Sequence, residues 1–536
     1  MENTLHSATP EDYGALGDGV TDDTAAIQGA VDAVSPGGTV NFRGSATYNI
    51  AAAVILKSGV AIEGNGATVT KTASATGAVT FANEMYSKGY GGGGRDITIR
   101  NLRTVGDYAV TGAGRDQVMS FMHVRGLRIE NCVFEQGMVN GHYLDLLGCD
   151  DVRITNSTFR GMNPLPGREI IEAIQTDSAT YSGAGHGYFG LDFFDGLPTR
   201  NVRVTGCTFT TLEVGGIEYP LPNPLGMHSG ALVGDDGWYQ DIWFENNLVR
   251  GWTKDVAGNP WQGWLHMAGF RNVVIRGNTF AYAGPTQAVG RGSVIASRPL
   301  TEVIPLGQAA AASPVKEILT KPRAAMNWKI SDNIFTGFNA NYSDGSSSLI
   351  YMNAPGNDRI SITGNVSESV KCGFCRVDND QNLVISANTV EGSGTNHTID
   401  VRSASAVIQG NSIRAASSFG IHLYGGQHHL VEGNRIQGGY TSIRAIGVGN
   451  GILANNYLRD YSGAGIDLGA NSDPATTFDV TVSGNRIASS KAGVVASIKI
   501  GTKSTRTFRF GNRYWDGGPI LDSGNGTRAT SALDTN

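Results

Sequence analysis

Asparagine returns at Asn365, Asn388, Asn411, Asn434, Asn456, Asn485 and Asn512, each time in a short phrase such as ISITGN, LVISAN, AVIQGN or VTVSGNRI. A phrase that recurs at a fixed place is an internal repeat, and it restricts the possible folds of this chain more than any other feature. Upstream, GLRIENCVF, DVRITNSTF, NVRVTGCTF, DIWFENNLV, NVVIRGNTF and NWKISDNIF put Cys132, Ser157, Cys207, Asn247, Asn278 and Asn333 at the same point. Successive points lie about 22 to 32 residues apart, or roughly double that where a repeat is skipped, the period of stacked supersecondary units. Within a phrase the apolar residues alternate, as Val152 with Ile154 and Val273 with Ile275, which is the period of a strand. Between phrases come Gly, Asn, Asp and Ser, the residues of tight turns. The pattern predicts an all-β parallel β-helix, a solenoid in which each coil pairs only with its neighbours. An inward Asn at the turn can bond both backbone and the next Asn in the stack. The 74 glycines, about twice average usage, and a charged fraction of only 16% agree with this reading. A leucine-rich repeat would need fixed leucines and helix-prone stretches that are absent.

The expected organisation is an N-terminal segment with a capping helix over 1–45, one long solenoid over 46–520 and a polar tail over 521–536. A long inserted loop is expected over about 284–326, with a short helix near Ala309 to Leu319. In the N-terminal helix, Thr21 or Asp22 can cap, Ile27, Val31 and Val34 form an apolar stripe, and Gly37 and Gly38 end it. Such a helix covers the otherwise open first coil. Net charge is −6 with no basic run, which argues against nucleic acid and anionic membranes as partners. No apolar run approaches the roughly 18 residues of a membrane span. The first residues lack the basic and apolar pattern of a secretory signal. Five cysteines cannot all pair; Cys132 and Cys207 sit at the inward position, and Cys372 with Cys375 is a lone CxxC, so structural roles are expected.

From Tyr13 the chain reads YGALGDGVTDDTAAIQGAVDAVSPGGTVNF, and this phrase together with the coil repeats resembles the pectate-lyase-like right-handed β-helix proteins. That family includes phage tailspike depolymerases and secreted polysaccharide lyases, hydrolases and epimerases. The resemblance implies a right-handed helix and a polysaccharide or glycan ligand, but not the reaction, because the fold hosts several chemistries. For a tailspike it further implies a homotrimer on the virion tail, outside the cell, with other phage tail proteins as partners; a secreted bacterial enzyme is the alternative location. Free buried thiols fit assembly in a reducing cytosol, which a phage structural protein would experience.

Aligned on the repeat, Asp145 and His266 share an outward position with Ser120, Asn353 and Arg376. Between His142 and His266 stand Glu172, Gln175, Asp177, Asp195, His228, Asp235 and Asp236. By period 2, Gln175 and Asp177 share a face, while Glu172 has the parity of Ile174 and points inward, which ranks Asp177 above Glu172 as a chemical group. Asp145, Asp177 and Asp195 are placed on three successive coils, giving carboxylate separations of about 5 or 10 Å, within reach of the pairs used in glycoside hydrolysis. The candidate catalytic acids are therefore Asp145, Asp177, Asp195, Glu172, Asp235 and Asp236. The candidate substrate-binding residues are His142, Gln175, His228 and His266, with Trp238, Tyr239 and Trp261 as platforms for sugar rings; Trp243 is expected to point inward. No cofactor is expected; Asp235 and Asp236 could contribute to a Ca²⁺ site, which needs six or more oxygens. Gly185, His186 and Gly187 spell the GHG of polygalacturonase-type hydrolases, but the order of the accompanying acids does not match. Arg168 and Lys254 are the nearby cations that elimination would require. The coils after Asn365 read as scaffold. The preferred reading is hydrolysis of a cell-surface polysaccharide, with lyase or epimerase chemistry and glycan binding without cleavage as alternatives.

Overall fold

In the computed structural model the chain forms a right-handed parallel β-helix. Described are residues 6–71, 79–106, 118–138, 142–163, 172–184, 188–227, 231–233, 237–253, 262–284, 292–305, 307–338, 348–354, 356–378, 380–391, 397–415, 418–469, 475–516 and 518–529. Contacts divide the chain into two compact units. The first comprises Met1–Val256, Trp264–Val273 and Leu300–Pro322, and the second Ala257–Gly263, Val274–Pro299 and Arg323–Asn536.

After the first coil, where the helix takes the place of a third strand, the coils of the first unit contribute strands to three parallel sheets. One coil supplies Arg125–Glu130 to the first sheet, Val133–Met138 to the second and Leu144–Leu147 to the third. Each strand pairs in register with its counterpart one coil later, as Leu127 with Val152 and Ile129 with Ile154. Inward residues stack like with like: the rings of Phe134 and Phe159 lie 4.7 Å apart and those of Phe159 and Phe209 5.0 Å apart, nearly parallel in both pairs. Trp243 stands between inward Ile242 and Phe244, so it faces out, where the Arg203 guanidinium covers its ring at 3.9 Å. The inward placement expected for it fails because strand parity gives it the opposite face.

The capping helix spans Thr24–Val34, later than the sequence suggests, because Asp18–Asp22 is already a strand. Ile27, Val31 and Val34 are fully buried as expected. The Asp22 carboxylate accepts from the Thr24 N–H at 3.1 Å, and Asp23 turns away to accept from the N–H groups of Leu16 and Gly17.

In the second unit the asparagines form one ladder. Each side-chain amide donates to the carbonyl oxygen of the next, from Asn333 to Asn365, Asn388, Asn411, Asn434, Asn456, Asn485 and Asn512, at 2.9–3.0 Å. The same oxygen accepts the backbone N–H of the preceding asparagine, as from Asn388 to Asn411 at 3.0 Å. The residue just before each rung has positive φ, as at Gly410, Gly433 and Asn455, which accounts for the glycine and asparagine content. In the first unit the corresponding column holds Cys132, Ser157, Cys207 and Asn247, where Ser157 Oγ and Asn247 Oδ1 accept the N–H groups of Cys132 and Cys207.

The expected long loop contains a coil strand, Gly292–Arg298, which pairs Ile295 with Ile350. The helix expected near Ala309 to Leu319 is absent: turns lead into a strand over Glu317–Arg323. Pro314 and Pro322, which lack the N–H a helix needs, suit an extended chain better than a helix. Strand pairing also continues past 520, with Ile520 opposite Ile498 and Arg528 opposite Phe508.

Candidate functional site

The third sheet of the first unit carries the residues that matter. Register sets Ser120 beside Asp145, Asp145 beside Gln175 and Gln175 beside Gly226, and Leu225 beside Leu265 makes His266 the next member of that outward column. The expected equivalence of Ser120, Asp145 and His266 therefore holds within this unit. Asn353 does not share the Arg376 position, because Tyr351 pairs with Arg376 and Asn353 with Asp378, two residues along.

Glu172 departs most from expectation. Parity with Ile174 predicts an inward side chain, yet its Oε1 lies 2.8 Å from His266 Nε2 and its Oε2 3.3 Å from His142 Nδ1. Glu172 is the first residue of its strand, Glu172–Asp177, where the pleat does not yet fix direction. Its carboxylate emerges on the outer face, fully buried beneath two imidazoles that are each 8% exposed. Gly226, on the coil between Glu172 and His266, makes the contact possible: a Cβ there would stand 2.4 Å from His266 Cε1 and 2.6 Å from Glu172 Cγ. His142 is fixed by a second contact, 3.0 Å from its Nδ1 to the Glu172 backbone carbonyl. His266 Nδ1 has no hydrogen-bond partner among the described residues.

The aspartates ranked highest in the sequence are held in other ways. Asp145, buried, accepts from Ser120 Oγ at 2.9 Å. Asp177, also buried, accepts from Gln175 Nε2 at 2.5 Å, and the same amide donates to the Gly183 carbonyl at 3.1 Å. Beside them Met122 and Leu147 point outward into an apolar cluster with Ala184, Phe189, Phe194 and Ile304, which roofs this part of the sheet. Asp195 lies on no coil strand; it follows a short helical turn, Leu191–Phe193, and sits 3.2 Å from buried His123. Burial opposes its ionisation, but the His123 hydrogen bond and charge and the N–H groups of Leu197 and Gly89 outweigh this and hold its pKa below the usual carboxylate value. These bonds make Asp195 a lock for the loop, so the three-coil series of aspartates is replaced by Asp145 and Asp177 alone.

Tyr239 is not a surface platform. It is fully buried, stacks on Phe270 at 4.9 Å and donates to Ser178 Oγ at 3.3 Å, because the strand Gln240–Glu245 begins just after it. Trp238 is half-buried with the Arg271 guanidinium 5.3 Å from its ring centroid. His228, Asp235, Asp236 and Trp261 lie outside the described residues, as do Arg168, Lys254 and the Gly185 to Gly187 segment.

The Glu172 carboxylate between two imidazoles holds both rings in place, and imidazole is the side chain best suited to exchanging protons near neutral pH. The signal for this arrangement in the sequence was only the three residue types; the side-chain direction at a strand's first residue is not readable from parity.

Comparison with known proteins agrees with the fold. Residues 9–187 match the family described as rhamnogalacturonase A/epimerase, pectate lyase-like, and residues 348–508 match the right-handed β-helix region. The chain thus carries a pectate-lyase-like segment and a right-handed β-helix segment. It is 25% identical over 303 residues to the plasmin and fibronectin-binding protein A of Streptococcus pneumoniae, covering 50% of this chain and 38% of that protein. It is 32% identical over 153 residues to a KN3-specific capsule depolymerase of Klebsiella phage KN3-1, covering 25% of this chain and 18% of that protein. The alignments therefore span well under half of either relative. The crystal structure of the pneumococcal surface adhesin PfbA matches with a TM-score of 0.51 and 16% identity, over 97% of this chain and 93% of that one. That likeness establishes the fold alone. No helix among the described residues is long and apolar enough to cross a membrane.

Proposed function

We propose that this protein binds and cleaves a cell-surface polysaccharide on the outer face of the third sheet, with His142 and His266 exchanging protons with the glycan and Glu172 positioning them. The observation that carries the reading is the Glu172 carboxylate bridging two imidazoles across a coil kept open by Gly226. Similarity over residues matching a capsule depolymerase and a pectate-lyase-like family supports polysaccharide as the substrate class. The acid–base group differs from the paired aspartates expected from the sequence, since Asp145 and Asp177 are roofed. A location on a phage tail and a trimeric state belong to this proposal as expectations from the depolymerase relative.

The test is incubation of the full chain with a panel of capsular polysaccharides, following new reducing ends for hydrolysis and ultraviolet absorbance of unsaturated uronides for elimination. Glu172→Gln should slow cleavage by about 10²-fold, the cost of misplacing the two imidazoles, while glycan binding changes only a few-fold. Full activity in Glu172→Gln rejects the site. A second reading, glycan or protein adhesion without cleavage, is favoured by the similarity to a pneumococcal adhesin; saturable binding with no product from any glycan would establish it instead.

A further inference from the structure

In the second unit, register stacks Arg376, Asp400, His422, Arg444 and Asp467 one per coil on the third sheet. Just before one of these strands, Ile399–Arg402, His397 joins two members of the column: His397, Asp400 and His422 each bring one donor atom within 4.8 Å of the others. His422 Nδ1 is 2.9 Å from Asp400 Oδ1, and the rings of His397 and His422 are 4.5 Å apart.

The carboxylate of Asp400 is divided between two kinds of neighbour. Arg376 and Arg402 lie 3.8 and 3.5 Å from Oδ2, which leaves Oδ1 toward the imidazoles. His397 is fixed in turn: its Nδ1 is 3.0 Å from Ser418 Oγ, and its ring stacks on Phe419 at 4.6 Å. Ser418 thereby takes one ring nitrogen and leaves Nε2 for a ligand, the second-sphere arrangement common to metal-binding histidines.

We propose that His397, Asp400 and His422 bind a single divalent transition-metal ion of the zinc class. Two imidazoles and one carboxylate suit zinc and its neighbours, whereas Ca²⁺ and Mg²⁺ require shells of oxygen. Donors around a tetrahedral zinc stand about 3.3 Å apart, so closing the site takes small side-chain rotations. The incoming ion replaces the proton shared by Asp400 and His422. Three protein ligands leave a coordination position for water.

The experiment uses the untagged full chain, stripped with chelator and titrated with Zn²⁺ by calorimetry and with Co²⁺ by visible absorption. One equivalent should bind, with the Co²⁺ bands of a low-coordinate nitrogen and oxygen site. His397→Ala and Asp400→Asn should each weaken that equivalent by at least about tenfold, while His428→Ala, on the exposed surface, should not. Asp400→Asn keeps the residue's shape, so it remains informative if a histidine variant fails to fold. No saturable equivalent, or unchanged affinity in both His397→Ala and Asp400→Asn, overturns the proposal.

Discussion

A ladder asparagine does more than fill space. Asn411 donates to the Ile385 carbonyl and to Asn434, and accepts both the backbone and the side-chain N–H of Asn388. Asn411→Ala would leave the buried Asn388 N–H without its acceptor, at a cost of about 2–3 kcal/mol. A lower urea midpoint at unchanged slope is the expected result. The turn residue before the rung is under a separate constraint. Where other rungs have Gly, Asn or Asp, Ala387 sits at φ 55°, a conformation that a Cβ disfavours. Ala387→Gly should therefore raise stability by about 0.5–1 kcal/mol, the reverse of the usual effect of glycine in a strand-rich protein, and thermal melting would show it.

Among elements, the strand Asn223–Gly226 is decisive because it separates Glu172 from His266 by one coil. Gly226→Ala places a methyl against both side chains and should break the 2.8 Å contact without disturbing the inward residues Leu225 and Leu265. The expected outcome is at least a tenfold loss of polysaccharide cleavage with a melting temperature changed by only a few degrees. Cleavage at the original rate would show that the Glu172–His266 pair is not used. The strand periods, the turn residues and the capping stripe were all legible in sequence because they depend on near neighbours. The direction of Glu172 was not, because it depends on where its strand begins, and neither was the roof over Asp177, which comes from Ala184, Phe189, Phe194 and Ile304.

At the scale of the whole molecule, the chain is held together without covalent links among its cysteines. All five are free and buried, and burial pushes the thiols of Cys132, Cys149, Cys207 and Cys372 up to about 12, so almost no thiolate exists at neutral pH. Melting should be unchanged by reductant, and a thiol-reactive dye should label the protein only as it unfolds; rapid labelling of the native chain would contradict this burial. The repeat in the sequence determined the fold by itself, because a solenoid is specified by local periodicity and by contacts between adjacent coils, both written at a constant spacing. The same repeat named the outward column that holds Asp145 and His266. Only tertiary structure decided which members of that column meet. Side chains from two other coils, His142 and His266, meet at Glu172, and His397 joins Asp400 and His422, through distances that depend on strand starts, intervening glycines and covering loops rather than on residue type or period.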